Sequence, residues 1–414
     1  MAVADQPQPP QTTQKKTLRL PFDGLLLVAL GALLIFGLMM VYSSTFDWSY
    51  RLHGNPATIF VRQVQWLVLG LALMFIAARV DYHWWRYLAV PLMIITLILL
   101  FAVLILGSTV FNAQRAFFNG SVQPSELAKF VIIVYLAVWL ASKGDKIRAT
   151  GYGLIPFGVI VGTLATLILL QPDLSAAGTI VLIAGLMFFI AGADFLQLGG
   201  VGVLAFGTAA ILLQLPTNFA ATGRQRLADF ITALQDITQA SWHLKQSAVA
   251  FVNGGLFGRG LGESHQKFGF LPTPHTDSIF AIIGEELGLV GCLFVIALYA
   301  VLLWRGYRIA AQARDPLGAI LASGIVCWLS LEAIVNVAVM VGAFPFAGNP
   351  LPFISYGGSN LVVSLIAIGV LLGISRRVET EPLSRKVRAT GLLNARFDFG
   401  RRDGRRRISR SGGR

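Results

Sequence analysis

Residues 174–192 read LSAAGTIVLIAGLMFFIAG, without a single charged side chain. A helix of that length in water needs a polar face, and this stretch has none. It is long enough to cross a hydrocarbon core, which takes about 20 apolar residues. Working outward, comparable runs lie near 24–43, 63–78, 87–107, 127–142, 152–170, 197–215, 279–304, 318–341 and 354–374. With 174–192 that makes ten, of which 127–142 is the least clean because Lys129 sits near its start. Such runs are too long and too evenly apolar for barrel strands, and an open sheet edge cannot survive in lipid. The expected fold is therefore an all-α polytopic membrane protein, a bundle of ten transmembrane helices. The composition agrees: 13% of residues are charged, against about 25% in soluble proteins.

Orientation follows from the basic residues. With both termini inside, only nine of the 33 Lys and Arg fall on outer segments or outer helix ends, mostly in one long loop, where the positive-inside rule carries little weight. The expected layout is a polar, Pro/Gln-rich cytoplasmic tail (1–22), a ten-span domain (23–375) and a basic, disordered cytoplasmic tail (376–414). The first apolar run is a full span rather than the short core of a cleavable leader. The large extracytoplasmic loop, 216–276, falls between spans seven and eight, and its stretches 227–234 and 244–252 have apolar residues at helical spacing. Cys292 and Cys327 lie inside spans, so neither a disulfide framework nor a Cys-based metal site is indicated. The basic tail reads as an anchor touching anionic lipid rather than a nucleic-acid contact.

Charge is scarce, so where it gathers matters. Residues 266–291, QKFGFLPTPHTDSIFAIIGEELGLVG, bring His275, Asp277, Glu285 and Glu286 to the edge of an apolar segment. An acid at the mouth of a span is a functional hypothesis by default. Pro272 and Pro274 force extended backbone, Thr276 is an expected N-cap, and Asp277 falls in the first turn. The helix N-terminus favours the ionised carboxylate while partial burial opposes it. A base that is ionised yet incompletely hydrated suits proton abstraction from a hydroxyl; the plainer reading is a helix cap. Glu285 lies about 12 Å further along the helix and about 80° round, with a hydrogen-bonding role as plausible as a catalytic one. Arg115, Glu126 and Lys129 gather at another outer boundary, either as a local ion pair closing a helix end or as a cationic pocket for a phosphate-bearing ligand. Gln171-Pro172-Asp173 reads as a turn between two spans. The stretch GAFPFAGNPLPFISYGGSN brings Ser355, Ser359 and several glycines to the last span, and Asn336 is a buried amide that needs a partner. Three histidines fall in the long loop without metal-ligand spacing.

The blocks GSTVFNAQRAFFNGSVQPSELAK, QPDLS, GGLFGRGLGESHQKFGFLPTPHTDSIFAIIGEELGLVG and NPLPFISYGGSNL resemble the signature blocks of the SEDS family (shape, elongation, division and sporulation), over residues 24–377. Their wording is closest to the division member, with the elongation member next. The resemblance implies a peptidoglycan glycosyltransferase that polymerises lipid II on the outer membrane face. It implies lipid II and the growing lipid-linked glycan as substrates, and as partners a class B penicillin-binding protein and other division proteins. The implied location is the bacterial cytoplasmic membrane at the division septum. The aspartate of the family's HTD motif matches Asp277, the implied catalytic base. By the same matching Arg115, Glu126, Lys129, Lys267, His275, Glu285, Ser355 and Ser359 fall on substrate-cavity blocks. A divalent cation (Mg or Mn) assisting the diphosphate leaving group is compatible with this chemistry; no metal site is evident and no organic cofactor is implied. The sequence departs from the family at Ala116, where a tryptophan is usual, at Thr273 for Glu or Gln, and at Ser175 for glycine; Phe117 or Phe118 could supply the missing ring. Two other readings share these residues: transport of lipid II between leaflets, and a non-catalytic scaffold.

Overall fold

A computed structural model describes residues 23–110, 113–117, 123–214, 216, 218–236 and 239–379 of the chain. The tails, and with them their expected disorder, lie outside the described residues, as does Phe118.

The described chain is helical apart from one small hairpin. In order it forms α1 (Gly24–His53), α2 (Thr58–Arg79), α3 (Trp85–Leu106), strands β1 (Ser108–Val110) and β2 (Ala113–Ala116), and α4 (Pro124–Lys143). There follow α5 (Ile155–Leu169), α6 (Leu174–Ile190), α7 (Phe195–Gln214), α8 (Asn218–Gln235), α9 (Trp242–Gly254), α10 (Ile279–Gln312), α11 (Pro316–Met340) and α12 (Gly358–Glu379). Eight helical segments are long and apolar enough to cross a membrane, while α6 and the first part of α7 are shorter apolar helices. The opening stretch is thus a helix of 17 residues, ended by a turn at Ala191-Gly192. Both segments expected to be amphipathic in the long loop are helical, within α8 and α9.

Burial separates centre from rim. The spanning window of α12 is 83% buried, and those of α4 and α11 are 67% and 61%, against 17% for α2. The apolar exterior of α2 and α3, with Val68, Phe75, Ile98 and Ile105 exposed, suits contact with lipid tails. Small residues let the helices close up where the hydrophobic effect cannot drive them together. α12 packs along α2, where a Cβ on Gly369 would lie 2.3 Å from the Met74 carbonyl oxygen.

Two boundaries differ from those expected from hydropathy, each for a physical reason. α1 continues ten residues past 43 because the polar run after it is buried and bonded: Thr45 Oγ1 donates to the Val41 carbonyl (2.7 Å) and Ser43 Oγ reaches Glu286 (2.7 Å). α10 is 34 residues but is broken at Gly288 (φ 67°, ψ −164°), a conformation that belongs to glycine. Unbroken it would reach about 51 Å at 1.5 Å per residue, well beyond a bilayer core of about 30 Å.

At the opposite end from the acidic motif, Asp23 caps α1 by accepting from the Leu26 N–H (3.1 Å). The same carboxylate takes a two-pronged grip from Arg305 of α10, at 2.5–3.0 Å. One acid therefore closes a helix end and fixes the crossing of two spans.

Candidate active site

Each segment carrying an outer polar residue reaches the same end of the bundle. These are the C-terminal parts of α1 and α11, the N-terminal ends of α4, α6, α10 and α12, and the loops beside them. What converges there forms three groups.

The first group is built on the α10 break. Breaking a helix strands carbonyls on one side and N–H groups on the other, and the glycine-rich turn after α9 satisfies both. Arg259 and Gly260 N–H donate to the carbonyls of Glu285 and Glu286 (3.0 Å each). In return Leu289 and Val290 N–H donate to those of Gly255 and Leu256 (3.0 and 3.1 Å). This close approach explains GGLFGRGLG: a Cβ on Gly258 (φ +81°) would sit 2.1 Å from the Glu286 carbonyl oxygen. The two carboxylates then have separate tasks. Glu285 accepts from Ser264 Oγ (2.5 Å), Gln266 N–H (3.1 Å), His265 N–H (3.3 Å) and Asn253 Nδ2 (3.3 Å). Glu286 pairs with Lys267 Nζ (3.0 Å), which also donates to the Gly262 carbonyl (2.6 Å). Both glutamates are fully buried, and their bonds pin the loop that leads to the HTD motif.

The second group lies between α4, α11 and α12. Lys129 Nζ donates to Glu126 (2.8 Å) and to Glu332, while Asn360 Nδ2 donates to Glu126 Oε2 (2.7 Å). All three ionisable groups are buried, and among the described residues one oxygen of Glu332 makes no hydrogen bond within the distance and angle limits. The local Glu126–Lys129 pair is present, but the lysine faces a second carboxylate as well. Glu332 was missed in the sequence. Its signal was there: it is the only acidic or basic side chain within α11, and such residues in spans mark function or pairing. The side chain of Arg115, which lies in β2, is outside the described residues.

The third group holds Asp277. Helix α10 starts at Ile279 with Ser278 at its N-cap, so Asp277 precedes the helix instead of occupying its first turn, and Thr276 is not the cap. The motif is held by its backbone. Three successive carbonyls accept bonds: His275 from Tyr356 N–H (2.8 Å), Thr276 from Ser355 Oγ (2.6 Å) and Asp277 from Asn336 Nδ2 (2.8 Å). Ser355 Oγ in turn accepts from Leu351 N–H (2.8 Å), and Asn336 also donates to the Asn349 carbonyl (2.7 Å). The loop 349–356 is thereby a clamp on the HTD backbone. The Asp277 carboxylate is half-buried and lies against Gly348, where an added Cβ would come within 2.9 Å of Oδ2. His275 is stacked on Trp48 of α1 (4.4 Å between rings) with Tyr356 edge-on at 5.7 Å. Burial pushes its imidazole down to about 4, so it is neutral at pH 7.

The groups are linked through shared elements. Asn336 and Glu332 are one turn apart on α11, so the Lys129 cluster lies about 6 Å along that helix from the Asp277 clamp. Gln123 N–H donates to Ser359 Oγ (3.3 Å), and Gln123 Nε2 to Asp173 (3.1 Å). Asp173, expected at the turn where the next helix begins, caps α6 through Ala176 N–H (3.1 Å) and accepts from Ser175 Oγ (3.0 Å). The serine that departs from the family pattern thus joins the cap. Among the described residues no group of three or more His, Cys, Asp or Glu side chains converges as a metal site.

These features define a class: a multi-pass helical membrane protein whose polar side chains converge at one end of the bundle. The comparisons give the family. The model of the cell cycle protein family that takes in FtsW, RodA and SpoVE matches residues 24–380, and the chain belongs to it. It is 39% identical over 371 residues to a probable peptidoglycan glycosyltransferase FtsW of Trichlorobacter lovleyi, covering 88% of this chain and 96% of that one. It is 38% identical over 361 residues to the stage V sporulation protein E of Bacillus subtilis, covering 86% and 97%. Among solved structures, a chain from a peptidoglycan synthase complex that coordinates polymerisation and crosslinking superposes with a TM-score of 0.70 at 26% identity, over 87% of this chain and 99% of that one. The Thermus thermophilus rod shape determining protein RodA superposes with a TM-score of 0.63, also at 26% identity, over 87% and 98%.

Proposed function

We propose that this protein is a peptidoglycan glycosyltransferase that polymerises lipid II at the outer face of the cytoplasmic membrane during septal wall synthesis, with Asp277 as general base. The observation that carries the reading is the clamp of three consecutive backbone carbonyls, which fixes the main chain bearing the half-buried Asp277 carboxylate. The relatives' names supply the reaction class. In this reading α6 and α7 complete ten spans, both tails are cytoplasmic, and α8 and α9 lie outside.

The reaction is an inverting transfer. Asp277 takes the proton of the acceptor's GlcNAc 4-hydroxyl as that oxygen attacks C1 of the lipid-linked MurNAc of the growing strand. The C1–O bond to the diphosphate breaks, and the lipid diphosphate leaves with the electron pair. Arg115 is the cation assigned to that leaving group. Lys129 could join it only by giving up a buried carboxylate, a costly exchange. A Mg or Mn ion would be held mainly by the diphosphate with at most one or two carboxylates. The proposed partner is a class B penicillin-binding protein; a similar chain is part of a peptidoglycan synthase complex that coordinates polymerisation and crosslinking.

Reconstitution in liposomes tests the reading. With its partner present, the protein should convert lipid II to glycan without moving labelled lipid II between leaflets. Lipid movement without polymer would make it a transporter.

A further inference from the structure

A cleft lies beside the HTD motif and belongs to none of the three groups. α8, α9, α11 and the 342–348 loop enclose a space of about 120 Å³ lined by Arg226, Asp229, Phe230, Ser241, His243 and Phe346 among others. That is somewhat smaller than the cavity of about 150 Å³ known to take a benzene ring, so it takes one six-membered ring and not two. It is tied to Asp277 from two sides. His243 Nε2 meets Ser278 Oγ at 2.7 Å, one residue from Asp277, and Phe346 is two residues from Gly348, which backs the Asp277 carboxylate.

The polar atoms of the cleft select the ligand. Ser278 Oγ gives its only hydrogen to the Pro272 carbonyl (2.8 Å), so it accepts from His243. His243 therefore carries its proton on Nε2 and keeps a lone pair on Nδ1. Burial, aided by the Arg226 charge, holds its imidazole down at about 4, which keeps that lone pair at neutral pH. Asp229 is half-buried and makes no hydrogen bond or ion pair among the described residues; the Ser241 hydroxyl caps nothing. Arg226 lies over the Phe346 ring (5.2 Å) and donates to the Phe346 carbonyl (3.4 Å), bracing the loop. The cleft thus offers acceptors at Asp229 and His243, a hydroxyl at Ser241, and aromatic walls. Asp229 offsets the Arg226 charge, so the cleft holds no surplus cation for a diphosphate. A neutral ring rich in hydroxyl donors needs none.

The geometry points to a subsite for the acceptor hexosamine ring, with hydroxyl or amide N–H groups donating to Asp229 and His243 and the ring packed on Phe346, so that its reacting hydroxyl faces Asp277. This assignment rests on the glycosyltransferase reading. The test measures equilibrium binding of fluorescent lipid II to the full-length protein with its partner, in an Asp277→Asn background where no turnover occurs. Asp229→Ala and Asp229→Asn should each weaken binding about tenfold or more, with melting temperature unchanged because Asp229 bonds nothing in the fold. Unchanged affinity would overturn the assignment. So would tighter binding by Asp229→Asn, the sign expected if a diphosphate occupied the cleft. If the wild type with its partner makes no polymer, the glycosyltransferase reading falls; if it makes polymer but the Asp229 variants bind normally, only the subsite falls.

Discussion

Asp277 and Glu286 lie nine positions apart in one motif, yet the fold treats them oppositely. Glu286 is fully buried, and its side chain is held by Lys267 and Ser43. Asp277 is half-buried, and its backbone is held from the Ser355 loop and from Asn336. A carboxylate gripped by its oxygens is a fastener. One whose main chain is gripped is held in place through its backbone. The difference is what a test of the proposed base at Asp277 can exploit.

The comparison can be broken at several points. The largest effect is expected for Asp277→Asn, which should cut polymerisation by about 10²–10⁴-fold, the usual worth of a general base, while the melting temperature stays put. Glu286→Ala should do the reverse. It leaves Lys267 buried without its partner, which costs about 3–5 kcal/mol, and thermal unfolding in detergent should show it. If Glu286→Ala melts normally and is merely inactive, the division between fastener and base is wrong.

A pH titration probes the clamp. His275 has its folded value held near 4 by burial, below the unfolded value of about 6.5. The unfolded chain therefore binds more protons between these values, so stability is full above about pH 6.5 and falls as the pH drops towards 4. His275→Gln should flatten part of that loss, with His243, held down similarly, accounting for another part. The smallest effect is expected for Ser355→Ala. It removes the bond to the Thr276 carbonyl and the one accepted from the Leu351 N–H, about 1 kcal/mol of stability each, and should lower kcat more than KM because it loosens the carboxylate's position.

Much of this was legible in the sequence, for reasons that also mark where reading stops. Uncharged runs such as 174–192 reveal spans because lipid tolerates nothing else there. The proline brace before Asp277 showed where a helix would begin, but Thr276 and Ser278 both suit a cap, and the start was set two residues early. The α10 break was not legible: GEELGLVG reads as continuous helix, and Gly288 looks like any tolerated glycine until the α9 turn packs against it. Lys129 illustrates the same limit. Its neighbour Glu126 is three residues away, whereas Glu332 is 203 residues distant, and no local pattern joins them. The ion-pair reading was therefore correct but incomplete.

The most direct measurement is lipid II polymerisation by purified wild type and Asp277→Asn, each with its class B partner and each checked for an unchanged melting temperature. The account predicts glycan strands from the wild type and none from a folded Asp277→Asn. Strands of normal length and rate from that variant would contradict it.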